Sequence, residues 1–142
     1  MPLTSQEKRA RLESVPLFRD CSSEVLDRLA EMTVEFEFGA DAPIVQQGQV
    51  GNGLYIVVSG GASIVAGSDE LARFGPGDFF GELSVIDQQP RAASAFAVGD
   101  TTCLALASWD LMTVLEQDPQ LGMNLLKELA SRLRSTDAQL RH

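Results

Sequence analysis

The stretch FFGELSVIDQQPRAASAFA, residues 79–97, holds the most chemically suggestive spacing in the chain. Gly81 would let the backbone approach a ligand closely. The N–H groups of Leu83 and Ser84, at the start of a short helical piece, have no intrahelical acceptors and would suit an anion. Arg91 would add a charge-assisted contact to the same anion, bidentate if the geometry allows. Glu82 is out of place beside a phosphate, because like charges repel, unless its carboxylate accepts from a hydroxyl, and a ribose 2′-OH is such a donor. A carboxylate for a sugar and a guanidinium for a phosphate in one small cavity specify a nucleotide better than either alone.

The elements around this stretch follow from patterning. Thr4 and Glu7 have capping-box spacing, which predicts a short helix from about Thr4 to Leu12 that Pro16 breaks. A second helix, EVLDRLAEM, starts behind a serine cap at Ser22 or Ser23 and places Val25, Leu26 and Leu29 on one face. From Thr33 the period changes to two: TVEFEF puts Val34, Phe36 and Phe38 on one side, as in a strand half-buried against a core. PIVQQ, LYIVV, ASIVA, LARF, AASAFAV and TCLALA follow as short β-type runs between glycine-rich turns. Many short strands with such punctuation predict a barrel or sandwich.

After Ala107 the helical period returns. Ser108 is placed to cap WDLMTVLEQ, and Asp118-Pro119 supplies a cap and a first-turn proline for a long helix from about Gln120 to Leu140. That helix carries two apolar sets, Leu126, Leu129, Leu133, Thr136 and Leu140 on one face and Leu121 and Leu125 on an adjacent one. One set must cover the strands; the other is available to a partner helix or a ligand. Trp109, near the start of the preceding helix, is expected to pack on the strands, with stacking on a base as the alternative.

Composition limits the function. The 142 residues make one domain's worth of chain, 44% hydrophobic and 22% charged, as in ordinary globular proteins. A net charge of −9 removes the basic footprint of a nucleic-acid binder. Cys21 and Cys103 have no metal or redox spacing and are expected to be reduced thiols, while the polar start and the lack of a long apolar run predict a soluble, cytoplasmic chain outside the membrane. His142 is the only histidine, so neither a Ser-His-Asp triad nor a histidine-rich metal site can be built, and no catalytic activity or metal is expected.

FGEL followed by PRAAS resembles the phosphate-binding cassette of the cyclic-nucleotide-binding domain family, which includes the catabolite activator protein, regulatory subunits of cAMP-dependent protein kinase and cyclic-nucleotide-gated channels. GQVGNGLYIVVSGGASI is similar to that family's glycine-rich hairpin, and FGPGDFFGEL to its lead-in. The resemblance covers roughly residues 15–135. It implies a mainly β fold, an antiparallel, jelly-roll-like β-roll of about eight strands with N-terminal helices and two C-terminal ones. The expected layout is a single domain over 1–142: helical lead-in 1–32, β-roll 33–107 and C-terminal helices 108–142.

By that resemblance Glu82 would take the ribose 2′-OH, Arg91 the phosphate, and the amides of Gly81, Leu83, Ser84 and Ala92 the remaining polar contacts. Ile64 and Val65 would stand in the purine wall, and Arg132 and Leu133 in the lid, with Arg132 able to stack on adenine. Ala92, where some relatives that favour cGMP carry Thr or Ser, leans toward cAMP over cGMP. The implied ligand is cAMP with no further cofactor; the implied partners are the nucleotide and a second copy or an effector protein meeting the last helix. With the chain ending at His142, no helix-turn-helix for DNA is expected. The alternatives are a regulatory module of a larger channel, kinase or other effector, and a β-roll whose ligand has changed or been lost.

Overall fold

The computed structural model describes residues 2–51, 53–81, 86 and 88–140, the side chains of 136–140 excepted. Helix α1 (Ser5–Glu13) begins with the capping box read from the sequence: Glu7 N–H donates to Thr4 Oγ1 and Thr4 N–H to Glu7 Oε1, each at 3.1 Å. Hydrogen bonding of the Glu7 carboxylate to Thr4, first of all from the Thr4 N–H, lowers the pKa of Glu7. Pro16 opens a 3-10 turn (Pro16–Phe18), and α2 (Ser23–Met32) starts behind Ser22, whose hydroxyl accepts from Val25 N–H at 3.2 Å.

Eight strands follow among the described residues: β1 (Val34–Phe38), β2 (Pro43–Val45), β3 (Gly53–Ser59), β4 (Ala62–Ala66), β5 (Asp69–Phe74), β6 (Phe79–Phe80), β7 (Ser94–Ala97) and β8 (Thr101–Ala107). They form two four-stranded antiparallel sheets, in the orders β1-β8-β3-β6 and β2-β7-β4-β5. Helices α3 (Ser108–Gln117) and α4 (Pro119–Leu140) complete the chain. The expected β-roll with flanking helices is the observed architecture.

The unbroken apolar run of β3 is explained by cover on both faces. Leu54, Ile56 and Val58 join Leu104, Leu106 and Phe79 against the helices, where Leu12, Phe18, Leu29, Leu111, Val114 and Leu121 are buried. Val57, one step out of phase, faces the second sheet with Cys103, Phe80, Ile44, Ala62, Ala95 and Ala97. One sheet is thus the floor of two cores.

Two expectations change. The apolar side of β1 is not covered: Val34 and Phe36 are exposed, and only Phe38 packs against the inter-sheet core. β1 is the edge of its sheet, where Val34 and Phe36 border an open groove. Ser108 does not cap α3; Ala107 holds the cap position without a side-chain bond, because β8 runs straight into the helix. At α4 the reading stands, with Gln120 N–H donating to Asp118 Oδ1 at 3.1 Å and Pro119 in the first turn. Among the described residues no helix is long and apolar enough to cross a membrane.

Candidate functional site

Arg91 is fixed first by its backbone. Its N–H donates to the Gln49 carbonyl at 2.7 Å and its carbonyl accepts from Gly48 N–H at 2.8 Å, while Pro90 forms an antiparallel bridge with Val50. Gly48 turns the chain there with φ +86°, a conformation that favours glycine. The side chain then runs inward and is only 7% exposed. A guanidinium so far from water needs acceptors. It has them: Nη1 donates to the Gly81 carbonyl at 3.2 Å and Nη2 to the Gly53 carbonyl at 3.0 Å. Gly81 itself has φ +94°, a conformation that strains any side chain, and a Cβ there would lie 2.5 Å from Nη1 and displace it.

Beside this guanidinium lies a cavity of about 610 Å³. Its floor is formed by Phe80, Gly81 and residues 91–95, one wall by Ile64, Leu71 and Phe74, and the facing wall by Glu128, Ser131, Arg132 and Ser135 of α4. The volume falls within the roughly 300–1,000 Å³ of small-molecule pockets, and the lining has their usual character, mostly apolar with a few convergent polar groups. The stacked rings of Phe74 and Phe80, 6.3 Å apart between centroids, line one side, and Phe80 stacks in turn on Tyr55, outside the lining, at 5.6 Å.

The structure brings together Gly81, Arg91, Ala92, Ile64 and Arg132 at this cavity. Glu82, Leu83 and Ser84, assigned to the sugar and phosphate contacts, lie outside the described residues. Val65 and Leu133 are not in the lining. Val65 is one step out of phase with Ile64 on a pleated strand, and Leu133 is 69% exposed. α4 instead turns Leu121 and Leu125 into the helical core, which leaves Met123, Leu126 and Leu133 toward solvent. Trp109 is 67% exposed and does not line this cavity; it borders a separate groove of about 500 Å³ together with residues of β3 and β8 and Arg91.

Arg132 is engaged with the protein. Its Nη2 donates to the Phe79 carbonyl at 2.7 Å, its Nε to Glu128 at 3.3 Å, and its Cζ lies 4.8 Å from the Phe74 ring centre and 4.5 Å from that of Phe79. The sequence reading missed Ser131 and Ser135. Their signal was present: Glu128, Ser131, Arg132 and Ser135 recur at helical spacing, a polar stripe beside the leucine stripes that marks a face turned to a polar-lined space.

Comparison with known proteins agrees with this fold. The model of the cyclic nucleotide-binding domain matches residues 35–118. The Cyclic AMP receptor protein of Thermus thermophilus is 36% identical over 134 residues, which cover 91% of this chain and 62% of the relative. The crystal structure of the Thermus thermophilus Catabolite Activator Protein superposes with a TM-score of 0.80 at 37% identity, over 89% of this chain and 62% of that one. The regulatory domain of Toxoplasma gondii PKA, crystallised with cAMP, superposes at 0.77 with 27% identity, over 89% of this chain and 49% of its own. The chain therefore spans from about half to less than two thirds of the length of these relatives. The match runs through the roll and into the helices that flank it, and on that ground the chain belongs to the cyclic nucleotide-binding domain family.

Proposed function

We propose that this chain is a cAMP sensor, one domain in extent, that binds the nucleotide in the cavity between Arg91 and α4 and reports it by moving α4. The observation that carries the proposal is the buried Arg91 guanidinium, held by two backbone carbonyls at the floor of a cavity of nucleotide size. In a chain of net charge −9, such a locally fixed cation is what an anionic ligand requires. Glu82 accepts from the ribose 2′-OH in this reading, and the amides of Gly81, Leu83, Ser84 and Ala92 take the remaining polar contacts. Ile64 covers one face of the purine. Ala92 offers no hydroxyl to a guanine, which favours cAMP over cGMP.

The chemistry is binding without turnover, so incubation with cAMP should yield no AMP. The nucleotide needs no cofactor. Ser131, Arg132 and Ser135 make α4 the cavity's movable wall, and a bound purine adds an apolar face for the stem of Arg132 to cover. The exposed Met123, Leu126 and Leu133 suit a second copy or an effector protein, and nothing in the charge suits a nucleic acid or an anionic membrane. Isothermal titration with cAMP and cGMP tests the reading. Saturable binding of cAMP, tighter than cGMP, is expected; a flat titration with both would end it.

A second reading has its own observation. Because the chain spans 62% of the bacterial receptor and 49% of the kinase regulatory domain, it also fits a regulatory module whose output lies in a further part of a larger protein. Locating the chain's natural termini by intact mass of the endogenous protein separates the two.

A further inference from the structure

β1 is the outer strand of its sheet, paired with β8 on one side only. Alternate residues of a strand turn their N–H and C=O groups away from the neighbour, and along the open side of β1 those groups meet no backbone partner among the described residues. The strand is also sorted by polarity. Val34 and Phe36, 54% and 44% exposed, border the groove of about 500 Å³ that Ile44 and Val45 of β2 line as well, with the exposed Val50 and Trp109 at its rim. Such a cluster of large apolar side chains left in water marks a surface with a use. Glu35 and Glu37 alternate onto the other face, where Glu35 accepts from the Leu3 N–H at 2.6 Å and Glu37 is exposed.

We propose that the open edge of β1 docks an extended segment of another protein in which apolar residues alternate with lysine or arginine, added to the sheet as a further strand. Main-chain hydrogen bonds to β1 hold the segment, and its side chains decide which segment fits. Its apolar residues continue the Val34 and Phe36 face over the groove, while its cations stand beside Glu35 and Glu37 as opposite-charge cross-strand pairs. Alternation matters as much as charge, because a cation on the groove side would meet apolar side chains and the Arg91 guanidinium that also lines the groove. A second copy of this chain does not fit. When two β1 strands pair antiparallel with three or more of their residues and keep the apolar ones on one face, Glu35 or Glu37 stands opposite a glutamate of the other copy, and like charges directly opposite repel. The net charge of −9 adds to the repulsion between copies and attracts a basic segment instead.

The test uses the full chain without nucleotide and a short blocked peptide of alternating lysine and valine. One control peptide carries glutamate in place of lysine; the other has the same lysines and valines gathered into two blocks. The alternating lysine peptide should bind about tenfold more tightly than either control, the scale of several cross-strand pairs. It should slow amide exchange at alternate residues of 34–38, those whose N–H groups face outward. Glu37→Lys should weaken that binding about three- to tenfold and strengthen binding of the glutamate peptide, with a thermal midpoint near that of wild type. Phe36→Thr, which keeps a strand-forming residue and removes the ring, should weaken the binding of both. Methylating the peptide's backbone nitrogens should abolish it. No binding, equal affinity for the block peptide, protection outside β1 or an indifferent Glu37→Lys would each overturn the proposal. Protection of residues 34–38 that grows with protein concentration in the absence of peptide would place a second copy on this edge and overturn it as well.

Discussion

Arg132 of α4 donates to the carbonyl of Phe79 at 2.7 Å while its guanidinium carbon sits 4.5 Å from the centre of the Phe79 ring. One side chain thus fastens the last helix to the short strand that leads into the cassette, by a charge-assisted hydrogen bond and a cation–π contact together. Phe79 also belongs to the helical core, so the fastening point is rigid.

Removing that fastening should loosen α4 locally. Arg132→Ala is expected to cost about 1–3 kcal/mol, the combined scale of the two contacts, read as faster amide exchange over residues 125–135 with the strands unaffected. Exchange like that of wild type would mean that Leu121 and Leu125 alone hold the helix.

If α4 is the cavity's lid, cAMP should protect residues 125–135 from exchange together with the cassette segment 81–92. A ligand shifts an equilibrium only by its differential contact with the two states, and Ser131, Arg132 and Ser135 are the helix's share of the lining. Protection confined to the cassette would show a sensor whose helix does not respond.

Arg91→Ala should weaken cAMP binding by about 1.5–3 kcal/mol, and Arg91→Lys by a similar amount, because a lysine cannot reproduce the planar fork that reaches two carbonyls. Glu82→Ala should cost less and should hardly alter the affinity for 2′-deoxy-cAMP. Calorimetry of the three variants with both nucleotides separates phosphate from sugar; an undiminished Arg91→Ala would remove the phosphate role.

Met123, Leu126 and Leu133 leave an apolar stripe on the solvent side of α4. Self-association through it should be abolished by Leu126→Glu with Leu133→Glu, seen as a fall in mass by light scattering. A wild type that is monomeric at the highest soluble concentration would reserve the stripe for another protein.

Burial, and then the Asp118 carboxylate beside it, pushes the Cys21 thiol up to about 12, and burial alone pushes Cys103 to about 11. Both thiols should resist alkylation at pH 8 in the native protein and react on unfolding. Their folded values lie above the unfolded one of about 8.5, so the stability they add is fully present below that value and is lost as pH rises through 11 to 12. Denaturant titrations between pH 8 and 11 should show declining stability. A flat profile would mean that the thiols are as free to ionise in the fold as outside it.

How much of this was legible in advance depends on the distance over which each feature is decided. The sequence alone determined the helix starts at Thr4, Ser22 and Asp118, because a cap is a contact between residues two or three apart. It determined β3 as a buried strand from its unbroken apolar run and, through the spacing from FGEL to PRAAS, Arg91 as the residue to watch. Only the tertiary structure decided which leucines of α4 meet the core. Two apolar stripes on one helix are equivalent until the β-roll chooses, and it buried Leu121 and Leu125, with Leu129 packed beside them, which left Leu133 outside the cavity lining and put Ser131 and Ser135 into it. The apolar side of β1 was likewise readable as a pattern but not as burial, since the strand's place at the sheet edge depends on its pairing with β8, far along the chain. The bed of Arg91 was the least readable of all. Gly53 and Gly81 look like turn punctuation in a linear chain, and only the folding of two separate segments onto one guanidinium makes their carbonyls its acceptors.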